Sequence, residues 1–275
     1  MLLTRTITAI VGIALAVFII NYGGLIFILA LTVLALVAWM ELARMFRKAG
    51  VKICTSLGSV LIVLSMVFAR YANNTEYQFI LFFSIVFLLA KVVFTSGKFS
   101  IGDCVATVFG FFYVSFLFSH FVELRFIDND TIYNYKYFQL NPGTAYLWLA
   151  LIGTWASDSF AYFTGRLFGR TKLNVTISPG KTWEGVIGGG IGAIAVSTLV
   201  IWGLGLPLYC GAVIGLIAAV VAPLGDLAES AMKRFCNVKD SGSFFPGHGG
   251  VLDRFDSLLF VVPMVYYFVA IIVMG

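Results

Sequence analysis

Charge is the first thing this chain lacks. Asp, Glu, Lys and Arg make up only 11% of its 275 residues, while 60% are apolar; an ordinary soluble domain carries about 25% charged residues. A water-soluble globular domain is thereby excluded. The polar–apolar alternation of a membrane β-barrel is missing too, as are short repeats and low-complexity segments. Cysteine is sparse: Cys54, Cys104, Cys210 and Cys236 are widely spaced and form no CxxC pair. No disulfide framework and no zinc site follow from them. What is present is a succession of apolar runs near or above the roughly 20 residues that cross a bilayer. The composition predicts an all-α, polytopic integral membrane protein.

The pattern predicts nine spans, near 3–20, 24–43, 56–70, 77–96, 103–122, 144–165, 183–204, 208–230 and 252–274. The N-terminal run has one cation ahead of it, as a signal peptide would. Its small-residue site Ala14-Leu15-Ala16 is followed by Val17, Phe18, Ile19 and Ile20, so a retained first helix is expected. Cationic loops stay on the cytoplasmic side of a membrane. With the N-terminus cytoplasmic, fifteen of the eighteen Lys and Arg residues fall inside, and only Arg70, Arg125 and Lys136 fall outside. Segments 166–182 and 231–251 then face the cytoplasm together. Polar groups at membrane depth concentrate in the second half. The chain divides accordingly into a transmembrane scaffold, 1–143, and a chemical region, 144–275.

Two acids lie inside apolar runs of that second region, Asp158 and Asp226. A charge there costs at least about 2.5 to 3.5 kcal/mol on insertion scales, so each needs a cavity, a metal or a partner. Either acid alone is also explained by a structural cation on a neighbouring helix. Pro223 and Gly225 just before Asp226 predict a kink or local unwinding. In LDRFDS, Asp253 and Asp256 are three apart and would share a face at the start of a helix near 251. A single acid there would merely complement the helix dipole. Hard cations such as magnesium take one or two carboxylates with phosphate and water, and Asp226, Asp253 and Asp256 could form such a set.

Around these acids stand groups suited to phosphate. Lys233, Arg234, Lys239 and Asp240 precede a glycine-rich turn, Gly247-His248-Gly249-Gly250, whose glycines allow positive φ and converging backbone N–H groups. His248 by itself reads equally as a loop hydrogen-bonder, and His120, set among aromatics, has no expected catalytic role. The stretch TISPGKTWEG is not a nucleotide-binding P-loop. Position 175 is Val175 where glycine is required, and an all-helical chain offers no preceding strand. It reads as a polar lead-in whose Lys181 reaches a phosphate, with Thr182 or Ser178 capping the next helix and Glu184 in its first turn. Cap chemistry alone explains it equally well. The glycines of EGVIGGGIGA fit close helix packing.

The stretch from Ser230 through Lys233-Arg234, Lys239-Asp240, Gly242, Phe245-Pro246, His248-Gly249-Gly250 and Asp253-Arg254-Phe255-Asp256 resembles the signature of the phosphatidate cytidylyltransferase (CDP-diacylglycerol synthase) family. SPGKTWEG is similar to a second block of that family, with Gly180 where lysine is common, and Asp158 and Asp226 also match. The first half is similar only in hydropathy. The resemblance implies a homodimeric enzyme of the cytoplasmic (inner) membrane, its active site facing the cytoplasm, that joins CTP and phosphatidate into CDP-diacylglycerol and pyrophosphate. Magnesium is implied as cofactor, with room for potassium at a paired site, and nucleic acid is not an expected partner. Asp226 and Asp253, with Asp256 close by, are the implied metal ligands and catalytic acids. Asp158, Lys181, Lys239 and Arg254 are the implied polar lining. The lipid phosphate would attack the α-phosphorus of CTP while cations offset the charge on departing pyrophosphate. Two rival expectations are a CTP-dependent polyprenol kinase and an ion-coupled transporter using Asp158 and Asp226 as coupling carboxylates.

Overall fold

The structure is a computed structural model that describes residues 2–71, 74–128, 133–134 and 139–275. Lys136 lies outside the described residues, as does the side chain of Arg5. In chain order the elements are α1 (Leu2–Tyr22), α2 (Gly24–Lys48), α3 (Thr55–Tyr71), α4 (Asn74–Phe94), α5 (Ile101–Gly110), a π-helical segment (Phe111–Phe116) and α6 (Leu117–Arg125). There follow β1 (Tyr133–Asn134), β2 (Gln139–Leu140), α7 (Pro142–Phe168), β3 (Lys172–Asn174), β4 (Ser178–Thr182), α8 (Trp183–Leu204) and α9 (Leu208–Phe235). The chain ends with α10 (Leu252–Phe255), α11 (Leu258–Phe268) and a second π-helical segment (Val269–Val273).

The first eight predicted spans fall on helix, apart from Thr95 and Ser96 at the end of the fourth, while the ninth, 252–274, is broken by a turn at Asp256 and Ser257. Among the described residues, α2, the continuous run Ile101–Arg125, α8 and α9 are long and apolar enough to cross a membrane. Shorter apolar runs occupy Thr6–Tyr22, Thr55–Tyr71, Gln78–Phe94 and Leu258–Val273. Large apolar side chains such as Leu25, Leu29 and Val33 of α2, and Ile187 and Ile191 of α8, point outward and are exposed, as lipid-facing surfaces require. The fold class is thus helical and membrane-spanning.

Three local expectations need correction. The chain is not wholly helical: β1 pairs with β2 and β3 with β4, both antiparallel, so SPGKT is a strand instead of a loop. Pro223 does not unwind its helix, because α9 runs without interruption from Leu208 to Phe235. Proline's fixed φ is itself helical, and its cost is one missing N–H bond. Nor do Asp253 and Asp256 share a helix face. α10 stops at Phe255, and Asp256 and Ser257 form a turn before α11.

The chain groups into two compact units, one of 1–123 with 233–254 and one of 124–232 with 255–275. In the first, α2 buries a stripe of Phe27, Leu31, Ala35, Ala38, Trp39 and Leu42, spaced as one face of a 3.6-residue helix demands. The Trp39 ring fills the space that side chains at Gly58 and Gly110 would need, and its indole N–H donates to Thr55 O (3.1 Å). Ser100 and Asp103 form a reciprocal capping box at the start of α5. In the second unit, α7 packs closely on α8. A Cβ on Gly189 would lie 2.7 Å from Ser157 O, and one on Gly185 2.9 Å from Ala161 O. α9 approaches α8 in the same way, through Gly211 and Gly215 against Ser197 and Ala193 carbonyls. The glycines of EGVIGGGIGA therefore do serve close packing, because only small residues let membrane helices meet backbone to backbone.

Candidate active site

The β3–β4 hairpin delivers Lys181. Its tip is held by Asn174, whose side-chain oxygen accepts the N–H groups of Thr176 (3.1 Å) and Ile177 (3.0 Å). At its base the Glu184 carboxylate accepts from the N–H groups of Arg170 and Thr171 (3.1 Å each). Thr182 is the cap of α8, its hydroxyl accepting from Gly185 N–H (3.2 Å). Ser178 has no capping role and pairs with Asn174 in the hairpin. So fixed, Lys181 Nζ lies 2.7 Å from Asp226 Oδ2, and Ser230 donates to Asp226 Oδ1 (3.3 Å). Both residues line a cavity of about 420 Å³ together with Asp158, Arg166, Tyr162 and Thr182. Arg166 donates to the Tyr162 hydroxyl (2.9 Å). Two carboxylates, an ammonium and a guanidinium thus meet at one cavity of the second unit whose remaining lining, including Ala161, Val186 and Pro223, is largely apolar.

The signature segment forms a second constellation, in the first unit. Lys233, in the last turn of α9, places Nζ 2.8 Å from Asp253 Oδ1. Asp253 Oδ2 accepts from Ser241 N–H (2.9 Å), the Ser241 hydroxyl (2.8 Å) and Gly250 N–H (2.9 Å). Burial alone would raise the Asp253 carboxyl, but the Lys233 ammonium and these donors overrule it and hold the group at about 2. Gly247 and Gly249 have positive φ, +78° and +90°; Gly250 does not. A side chain on Gly249 would also press on Asp253 Oδ2 (2.8 Å). The anion that the glycine turn embraces is therefore Asp253 itself. Arg254 Nε donates to the carbonyl of His248 (2.7 Å) and closes the turn. Arg234, Lys239, Asp240 and Arg254 are exposed, and His248 is half-buried. Asp256 Oδ1 accepts the N–H of Ser257 (2.7 Å).

Sequence reasoning missed Glu41. It lies in α2, 2% exposed; its carboxylate accepts from Val251 N–H (3.0 Å) and Leu252 N–H (3.1 Å), and its Oε2 also lies 3.3 Å from the Ser241 hydroxyl oxygen, whose single proton goes to Asp253 at 2.8 Å. The signal was available: Glu41 is an acid inside the apolar run LALVAWMELARMF, the same feature that drew attention to Asp158 and Asp226. Ser241 was missed as well, and nothing in its local sequence marks it. Among the described residues of either unit, no three His, Cys, Asp or Glu side chains cluster as a ready-made metal centre.

Apolar helices that carry acids, a cavity lined by two of those acids with a lysine and an arginine, and a carboxylate-ordered glycine turn define an integral membrane protein built to handle a charged, phosphate-like ligand. The chain belongs to the cytidylyltransferase family, whose model matches residues 3–272. It is 33% identical to the phosphatidate cytidylyltransferase of Bacillus subtilis (strain 168), over 97% of each chain. The Synechocystis sp. protein of the same name is 36% identical, over 98% of this chain and 96% of its own. That of Staphylococcus saprophyticus is 33% identical, over 94% and 96%. The likeness extends through the first half of the chain, beyond the second half where the motifs lie.

Proposed function

We propose that this chain joins CTP and phosphatidate to give CDP-diacylglycerol and pyrophosphate. The observation that carries the proposal is the cavity in which Lys181 meets Asp226 with Asp158 and Arg166 alongside, in a chain of this family. The lipid phosphate is ionised at neutral pH and serves as the nucleophile, so no protein nucleophile is needed. Its attack on the α-phosphorus of an equally anionic triphosphate requires fixed positive charge and held geometry. Lys181 and Arg166 supply that charge within the cavity, and Lys239 and Arg254 are exposed cations of the signature segment.

The donors fit a hard divalent ion. Asp226 and Asp158 line the same cavity, and magnesium takes one or two carboxylates, completing its shell with phosphate oxygens and water. Asp253 offers Oδ1, where the Lys233 ammonium now stands, because its Oδ2 is committed to the turn. That oxygen suits a second, monovalent ion such as potassium. Asp256 has one carboxylate oxygen engaged by the N–H of Ser257. When bound, magnesium would neutralise phosphate oxygens. The lysine partnering each acid, 181 or 233, would then be released to the substrate.

The proposal includes nine membrane crossings with the N-terminus cytoplasmic, a site open to the cytoplasm of the inner membrane, and a homodimer. The lopsided placement of Lys and Arg supports the orientation. Purified enzyme supplied with phosphatidate and CTP labelled at either the α- or the γ-phosphate tests the reaction. Label from the α position should enter lipid and γ label should leave as pyrophosphate. Lipid carrying the γ label would identify a kinase and overturn the proposal.

A further inference from the structure

We infer that Glu41 is a positioning residue for Asp253: from α2 it holds segment 241–252 in the conformation that presents that carboxylate. The inference rests on the function proposed above and extends it to the N-terminal part of the chain.

Glu41 is 2% exposed and has no cation among its hydrogen-bonding partners. A buried carboxylate is costly unless donors compensate it, and its donors all come from one segment. Oε1 takes the N–H of Val251, and Oε2 takes the N–H of Leu252 and touches the hydroxyl of Ser241. The same Ser241 hydroxyl contacts Asp253 Oδ2, and the N–H groups of Ser241 and Gly250 go to that oxygen too. Two carboxylates therefore share one short segment and meet at one serine. The glycines at 242 and 250 follow from this. A Cβ at Gly242 would strike the Glu41 carboxylate, and one at Gly250 would come 2.6 Å from Glu41 Oε2 and collide with Ser241 Oγ. Part of the signature's glycine content is explained by the need to let Glu41 in. An apolar residue at 41 would pack at lower cost; what the carboxylate adds is a defined backbone path from 250 to 253.

Glu41→Gln keeps the volume and sets an amide NH2 against backbone donors. In the full-length enzyme in mixed micelles, kcat is expected to fall by about tenfold or more, as it does when residues that orient a ligand are lost. KM for CTP should stay within about threefold. Backbone amide exchange over 241–252 should quicken about tenfold while exchange in α8 is unchanged. Ser241→Ala should lower kcat in the same sense, and the double variant should lose less than the sum of the two single losses, because the two side chains share one contact and hold one segment. Unchanged kcat, unchanged exchange over 241–252, or a loss of activity that only tracks loss of folded protein overturns the inference. Should Glu41→Gln not fold, full activity of Ser241→Ala overturns it. A wild-type enzyme that fails to label lipid from α-labelled CTP sinks the proposed function instead, and the exchange measurement still decides whether Glu41 holds the segment.

Discussion

Replacing Lys233 by Met isolates the cation that partners Asp253. The pair is close and largely buried, with Nζ to Oδ1 2.8 Å and side-chain exposures of 15% and 8%. Asp253 is lowered from 3.8 to about 2 in the folded protein, which corresponds to about 2 kcal/mol of stability at neutral pH. Lys233 is the largest of the favourable causes, with Gly250 and Ser241 supplying the others. Its removal should therefore cost about 1 to 2 kcal/mol, less than the roughly 3 to 5 seen when a buried charge loses all its partners. At about 2 to 4 °C per kcal/mol, the melting temperature should drop by about 2 to 8 °C. The four cysteines are all free and buried, so a thiol-reactive dye reports unfolding directly. Because the carboxyl is depressed on folding, its contribution is complete above about pH 4 and is lost as pH falls through about 2. The deficit of the variant should be full at pH 7 and should narrow toward pH 4 and below, where its Asp253 takes up a proton and the wild-type's does not. Equal melting temperatures at pH 7, or a deficit that widens between pH 7 and pH 4, would refute the reasoning.

Asp226→Asn removes the charge that faces Lys181 in the cavity, and turnover should fall by about a hundredfold or more with the amount of folded protein in the membrane nearly unchanged; near-normal activity with magnesium rules out Asp226 as a metal ligand. Ser243 is exposed in the signature segment, so Ser243→Cys should react with a membrane-impermeant maleimide only from the cytoplasmic face, and reaction from the other face would reverse the proposed orientation.

The helices were legible because a bilayer leaves little choice: apolar runs of this length must satisfy their own backbone, and helix does so within the segment. The exceptions each have a local cause. SPGKT carries Pro179 and Gly180, poor residues for a strand interior, yet only three residues separate it from β3, across a turn that Asn174 closes, and a hairpin that short is set by its turn. Pro223 looked like a break because proline removes a hydrogen bond. Helix continues on both sides of it, from Leu208 to Phe235, so the missing bond does not unwind the segment. The turn at Asp256-Ser257 had no glycine or proline to announce it. It falls where Gly225 of α9 meets the Asp256 carbonyl, a Cβ there being only 2.5 Å away, so packing against α9 decides it.

The site was legible wherever its chemistry was local and hidden wherever it was not. Lys181 and Asp226 could each be singled out by type and place, the one in a polar lead-in and the other at membrane depth, although only the fold shows that they meet. Lys233 and Asp253 belonged to one recognisable stretch. Glu41 and Ser241 are 200 residues apart in sequence, and no spacing rule spans that distance. The physical argument that singled out Asp158 and Asp226 nevertheless applies to Glu41 with equal force. A carboxylate costs as much in an apolar helix near the N-terminus as in one near the C-terminus, whatever the charge density of the residues around it. Weighting the two halves by their number of polar groups obscured this, since a region with few charges is where each one has most to explain. Glu41 satisfies that demand by binding the segment that carries the family signature. The glycines of that signature are then as much a record of the carboxylate beneath them as of any phosphate above.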